Sequence, residues 1–182
     1  GGSQGAAAIN RLVMCALPDV SAAERACWQV IHLTGVADEA DVQAAYAAHG
    51  LRAVVAPWLN DMDAALAHAD VVIARAGAST IAELSRCGVP SVLIPYPLAD
   101  GHQRANARLV QTVGGGIVLE EAEATPKRLL DIVRRVLSDW GLHERLASRI
   151  RALAVPDATT RLAQAITNLA HSRPPIGGEL SS

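Results

Sequence analysis

Three short stretches of the sequence carry residue types that can hold an anion or a sugar. The first, GGSQGA, opens the chain: Gly1, Gly2 and Gly5 let backbone N–H groups approach a ligand closely, and Ser3 adds a hydroxyl. A helix beginning near Ala6 would turn its positive end towards an anion there. A glycine turn that merely joins a strand to a helix has the same composition, so this stretch alone leaves both readings open. The second, RAGASTIAE (75–83), places Ser79 and Thr80 in the first turn of a helix opened by Gly77 and Ala78, a second place for an anion. Glu83 follows Thr80 at the spacing of a capping box, S/T-x-x-E. It could instead accept hydrogen bonds from the 2′- and 3′-hydroxyls of a ribose, which suits an acceptor-only carboxylate. Spacing alone favours the cap. The third, PYPLADGHQRANA (95–107), begins as a loop rich in Pro, Gly and Asp that ends in adjacent His102 and Gln103. It reads either as a solvated loop leading into a helix or as a sugar-reading segment, since the Gln amide both donates and accepts. His102 as a general base has no carboxylate at fixed spacing to support it.

Other chemistries find less support. No G-K-[ST] follows a glycine loop and no G-x-S-x-G occurs, which disfavours a P-loop nucleotidase and a serine hydrolase. No His, Cys, Asp and Glu stand at metal-ligand spacing, so no metal is expected. Cys15, Cys27 and Cys87 are far apart and read as reduced, mostly buried thiols of a cytosolic protein. His32 reads as a satisfied strand-end histidine, and His49 and His68 as cations near helix C-termini. Arg75 could meet a phosphate or an acidic neighbour equally well. A net charge of −2 gives no basic field for nucleic acid, and no apolar run approaches the ~20 residues of a membrane span.

The elements that must position these stretches alternate. Apolar runs expected as strands, CWQVIHL, RAVVAPW, DVVIAR, SVLIP and GIVLE, are separated by helical patterns. Ile9, Leu12, Val13, Ala16 and Leu17 form one helical face, closed by Pro18. Asp38 and Gly50 bracket an Ala-rich helix. Thr125 caps another, with Pro126 at its first position and Leu129, Leu130, Val133, Val136 and Leu137 on one side. Two further helices are expected in HERLASRIRAL and DATTRLAQAITNLA. Strands alternating with helices imply an α/β fold with a doubly wound, parallel, Rossmann-like sheet, whose ligands bind at the carboxyl ends of its strands. A glycine loop of the opening type follows a strand, so a sixth strand is expected before Gly1, and the chain reads as a fragment cut at a strand–loop junction with an unpaired sheet edge. Core volume must come from Leu, Val, Ile and Ala, because there is no Phe and aromatic residues make up only 3%.

GGSQGA, ARAGASTIAELSRCGVPSVLIPYPLADGHQRANA and VPDATTRLA, in this order and with HLTG and WLNDM between the first two, resemble the MurG family of N-acetylglucosamine transferases. The resemblance runs from Gly1 to about Ala170. It implies a B-type glycosyltransferase fold of two Rossmann-like domains, of which residues 1–170 would be the C-terminal, UDP-sugar-binding one without its first strand, and 171–182 an unstructured tail. By the same resemblance, Ser3, Gln4 and the loop amides lie at the donor diphosphate, and the backbone of Leu59 reads the uracil edge. Arg75 stands beside the donor. Ala78, Ser79 and Thr80 meet the diphosphate and sugar, Glu83 grips the ribose hydroxyls, and His102 and Gln103 lie near the N-acetylglucosamine hydroxyls.

The implied reaction is inverting transfer from UDP-N-acetylglucosamine to undecaprenyl-pyrophosphoryl-N-acetylmuramoyl-pentapeptide, lipid I, giving lipid II for peptidoglycan. No cofactor is implied. The catalytic base, the lipid I site and most of the peripheral membrane contact, on the cytoplasmic face, fall to an N-terminal domain. This chain alone would bind donor and turn over little. The alternatives are another UDP-sugar enzyme of the same fold and a non-catalytic nucleotide-sugar-binding module.

Overall fold

The computed structural model describes residues 6–98, 101–156 and 158–171. Five short parallel strands, β1 (Val30–Leu33), β2 (Ala53–Ala56), β3 (Val72–Ala74), β4 (Ser91–Leu93) and β5 (Ile117–Val118), alternate with helices along the chain. The number and order of strands match the sequence reading, and each is shorter than its apolar run. At CWQVIHL, Cys27 ends helix α2 (Ala22–Cys27) and only Val30 onward is strand. The signal for that helix is the S-x-x-E pattern: the Ser21 hydroxyl accepts from the Glu24 N–H while the Glu24 carboxylate accepts from the Ser21 N–H.

The strands form two ladders. β1 pairs with β2, from Val30↔Ala53 to Leu33↔Ala56, and β4 lies between β3 and β5. Among the described residues no ladder joins β1 to β3. Helix α1 (Ala7–Ala16) packs across both. Its Ile9 belongs with Val92, Ile94, Leu129 and Val133, whereas Val13 and the following Leu17 reach Val42, Tyr46 and Leu51. Pro18 ends it as expected, within a 3-10 turn over Leu17–Asp19.

Helix α3 (Glu39–His49) backs β1–β2 and closes at Gly50, whose φ of 64° is the left-handed geometry a helix end demands. Helix α4 (Met62–Ala67) precedes β3. Helices α5 (Ala78–Cys87), α6 (His102–Thr112) and α8 (Trp140–Arg151) cover the opposite face of the second ladder through Ile81, Leu84, Ala107, Val110 and Ile150. Helix α7 (Pro126–Ser138) lies on the α1 side. The Thr125 hydroxyl caps it by accepting from the Arg128 N–H. Leu129, Leu130, Val133 and Val136 are buried, but Leu137, expected beside them, is exposed. With helices on both faces, β4 is buried at every residue, the condition for a parallel doubly wound sheet. Helix α9 (Ala158–His171) ends the described chain and takes in His171, the first residue of the tail expected over 171–182; the rest of that stretch lies outside the described residues. The strand expected before Gly1 lies outside them too.

Candidate functional site

Among the described residues, the second and third polar stretches follow the carboxyl ends of β3 and β4. Three residues beyond β3, the chain turns at Gly77 in extended geometry (φ −67°, ψ 149°) and α5 begins at Ala78. The Ile81 N–H makes the first helical bond, 3.0 Å to the Gly77 carbonyl. The N–H groups of Ala78, Ser79 and Thr80 therefore have no intrahelical acceptor, and no side chain caps them. Ala78 and Ser79 are exposed and Thr80 half-buried, so the positive end of α5 opens to solvent.

This geometry decides the two readings of Glu83 in one respect. The N-cap is Gly77, and Thr80 is already the third helical residue, so the capping box does not form. The half-buried Glu83 carboxylate lies beyond the first turn and accepts no hydrogen bond from a described residue. The pattern S/T-x-x-E misled here because the helix starts about one turn earlier, at Gly77, and puts Thr80 inside it.

The adjoining helix is tied to the same crevice. Gln103, half-buried in the first turn of α6, accepts from the Tyr96 N–H through Oε1 at 3.0 Å. That fixes the amide, leaving its NH2 group as the available donor. His102 is exposed beside it. Asn106, one turn further on, donates to the Ala76 carbonyl at 3.0 Å and links α6 to the turn before α5. Arg75 is buried and meets its acidic neighbour: Nη1 lies 2.5 Å from Glu121 Oε2 and donates to the Ile94 carbonyl at 3.1 Å.

The first turn of α1 packs against Ile94, just past β4, so α1 and α5 both begin at the carboxyl edge of the second ladder, one on each face. Ser3 and Gln4 lie outside the described residues. Leu59, half-buried, follows the end of β2 in the first ladder.

A buried polar network secures α1 from below. Asn10, 1% exposed, donates through Nδ2 to the Thr34 carbonyl (3.0 Å) and to Asp38 Oδ2 (2.7 Å). Both partners are acceptors, so Oδ1 must accept from His32 Nε2 at 3.0 Å, and His32 Nδ1 accepts from the Tyr46 hydroxyl at 3.1 Å. Burial pushes the His32 pKa below the usual 6.5 and so favours the neutral Nε2–H ring that this arrangement of hydrogen bonds fits. Burial likewise raises the Tyr46 phenol. Asp38, expected to cap α3, makes no cap bond; its carboxylate serves Asn10 instead. Asn10, Asn106 and Glu121 were not singled out by the sequence reading, since their partners lie 20 or more residues away in the chain. Among the described residues, no three His, Cys, Asp or Glu side chains converge as a metal site, and no helix is long and apolar enough to cross a membrane.

A parallel α/β domain with uncapped helix starts and amide and carboxylate groups at one sheet edge is a nucleotide-type binding architecture. The sequence matches the glycosyltransferase family 28 C-terminal domain over residues 1–171, and the chain belongs to that family. It is 45% identical over 176 residues to the UDP-N-acetylglucosamine--N-acetylmuramyl-(pentapeptide) pyrophosphoryl-undecaprenol N-acetylglucosamine transferase of Sorangium cellulosum, covering 94% of this chain and 43% of that protein. The namesake from Desulfotalea psychrophila is 39% identical over 163 residues, covering 89% and 44%. The crystal structure of Acinetobacter baumannii MurG superposes with a TM-score of 0.79 at 32% identity, covering 92% of this chain and 48% of that one. The chain thereby has the Rossmann-like fold of the C-terminal half of a B-type glycosyltransferase. The chain spans less than half the length of these relatives.

Proposed function

We propose that the chain is the donor-binding part of an inverting N-acetylglucosamine transferase that converts lipid I to lipid II in peptidoglycan synthesis. One observation carries this reading: the half-buried Glu83 carboxylate, freed from capping, stands on the same helix as three unsatisfied N–H groups. A ribose diol at Glu83 and a diphosphate at Ala78–Thr80 match that arrangement in charge and in hydrogen-bonding sense. Ser3 and Gln4 join at the diphosphate from the α1 side, the Leu59 backbone meets the uracil, and the free Gln103 NH2 donates to a sugar hydroxyl with His102 alongside.

The reaction is an in-line displacement at the anomeric carbon by the acceptor hydroxyl, with departure of UDP. The leaving diphosphate gathers negative charge, and the preorganised N–H groups of α5 stabilise it without reorganising. The base, the lipid I site and the cytoplasmic-face membrane contact belong to the remainder of a longer protein, so this chain alone binds donor and turns over little.

Calorimetry tests the reading. UDP-N-acetylglucosamine should bind, and more tightly than UDP-glucose. Glu83→Ala removes a charge-assisted pair to the diol, an expected loss of about 1.5–3 kcal/mol in affinity, with the thermal midpoint little changed because no cap is lost. An unchanged affinity in Glu83→Ala would remove the assignment.

A further inference from the structure

Arg75 lies at the carboxyl end of β3 and is 8% exposed. A single nitrogen, Nη1, donates to the Ile94 carbonyl at 3.1 Å and the Pro95 carbonyl at 3.4 Å and forms an ion pair with Glu121 Oε2 at 2.5 Å, while Cζ stands 5.3 Å from the centre of the Tyr96 ring. One cation therefore joins three segments: the end of β3, the connection after β4 and the turn after β5. The next link is the Tyr96 N–H, which holds the Gln103 amide. A buried guanidinium paired in this way would have to leave its carboxylate uncompensated in order to reach a phosphate, an expensive exchange.

We propose that Arg75 is a positioning residue for the sugar end of the donor, acting through Pro95, Tyr96 and Gln103, and not a ligand of the diphosphate. This rests on the donor reading above. It deepens that reading by dividing the crevice: the α5 helix start holds the diphosphate, whereas the Glu121–Arg75–Tyr96–Gln103 chain sets the height of the group that reads the sugar. The links are contiguous contacts, as coupling of this kind requires.

The test compares UDP with UDP-N-acetylglucosamine in calorimetry, together with thermal midpoints, for the unsubstituted chain and for Arg75→Met, Arg75→Lys, Glu121→Gln and Tyr96→Leu. Arg75→Met should weaken the sugar nucleotide at least tenfold more than it weakens UDP. Arg75→Lys, which keeps a cation for Glu121, should recover part of that difference, and Glu121→Gln and Tyr96→Leu should shift it in the same direction as Arg75→Met. Equal weakening of both ligands by Arg75→Met overturns the proposal, as does tighter binding of both by Glu121→Gln, since a released cation would then be serving the phosphates. Should Arg75→Met fail to fold, Glu121→Gln and Tyr96→Leu decide alone, and an unaltered ratio in both overturns it. An unsubstituted chain that binds neither ligand overturns the donor reading itself, before any variant is compared.

Discussion

Asn10→Ala is the sharpest probe of how the crevice is built. The substitution removes three hydrogen bonds from a side chain that is 1% exposed. Two join neutral partners, worth about 1 kcal/mol each, and the third reaches the Asp38 carboxylate, worth about 2 kcal/mol. The His32 Nε2–H and the Thr34 carbonyl are then left buried without partners, which makes the upper part of the range the relevant one. The expected loss is roughly 3–5 kcal/mol, a large share of the roughly 5–15 kcal/mol that holds a typical domain together. Equilibrium urea unfolding followed by tryptophan fluorescence measures it, with Arg11→Ala on the exposed side of the same helix as the control, expected within about 0.5 kcal/mol of the parent. A loss below about 1 kcal/mol at unchanged urea dependence would refute the claim that this network anchors α1.

The same network gives a pH signature. His32 is held neutral by burial, so its contribution is complete above pH 6.5 and is lost as pH falls below it, when the unfolded chain takes up the proton first; His32→Gln should flatten that part of a stability–pH profile. Glu24 behaves differently, because its hydrogen bonds to Arg134, at 2.6 Å and 3.0 Å, hold its carboxyl near a pKa of about 2. That contribution is present above pH 4.5 and fades towards pH 2, and Arg134→Met should remove most of the slope there while costing about 1 kcal/mol at neutral pH, read by urea midpoints across pH. Gly115→Ala should destabilise by about 1–3 kcal/mol in thermal unfolding, since its Cβ would meet backbone atoms of Ile150 at 2.8 Å and α8 cannot yield as a side chain could.

The parts legible in the sequence were those governed by near neighbours. Strand–helix alternation, the Thr125 cap with Pro126 behind it and the glycine stop at Gly50 all follow from local sterics and hydrogen bonding, and the structure has each of them. Glu83 shows the limit of a local pattern: its spacing fits a cap, yet Gly77 starts the helix earlier and leaves the carboxylate with no cap to make. Ser21 and Glu24 show the converse, a cap pattern that starts a helix just before the expected strand and carries it as far as Cys27. Arg75 was open to a phosphate or an acid, and only folding brought Glu121, far along the chain, to its side. Asn10 reads as one polar residue on an apolar helix; nothing local announces that His32, Thr34 and Asp38 converge on it.

The division of the strands into two ladders has a mechanical consequence. Main-chain bonding does not couple β1–β2 to β3–β5 among the described residues, so the two regions should behave as separate cooperative blocks whose seam is closed by side chains of α1 together with Trp28. Amide protons in β1, β2 and α3 should then exchange with solvent through a lower-energy opening than those of β4. An anion seated at the head of α1 would act as a rivet across the seam, slowing exchange in both blocks although it touches neither ladder.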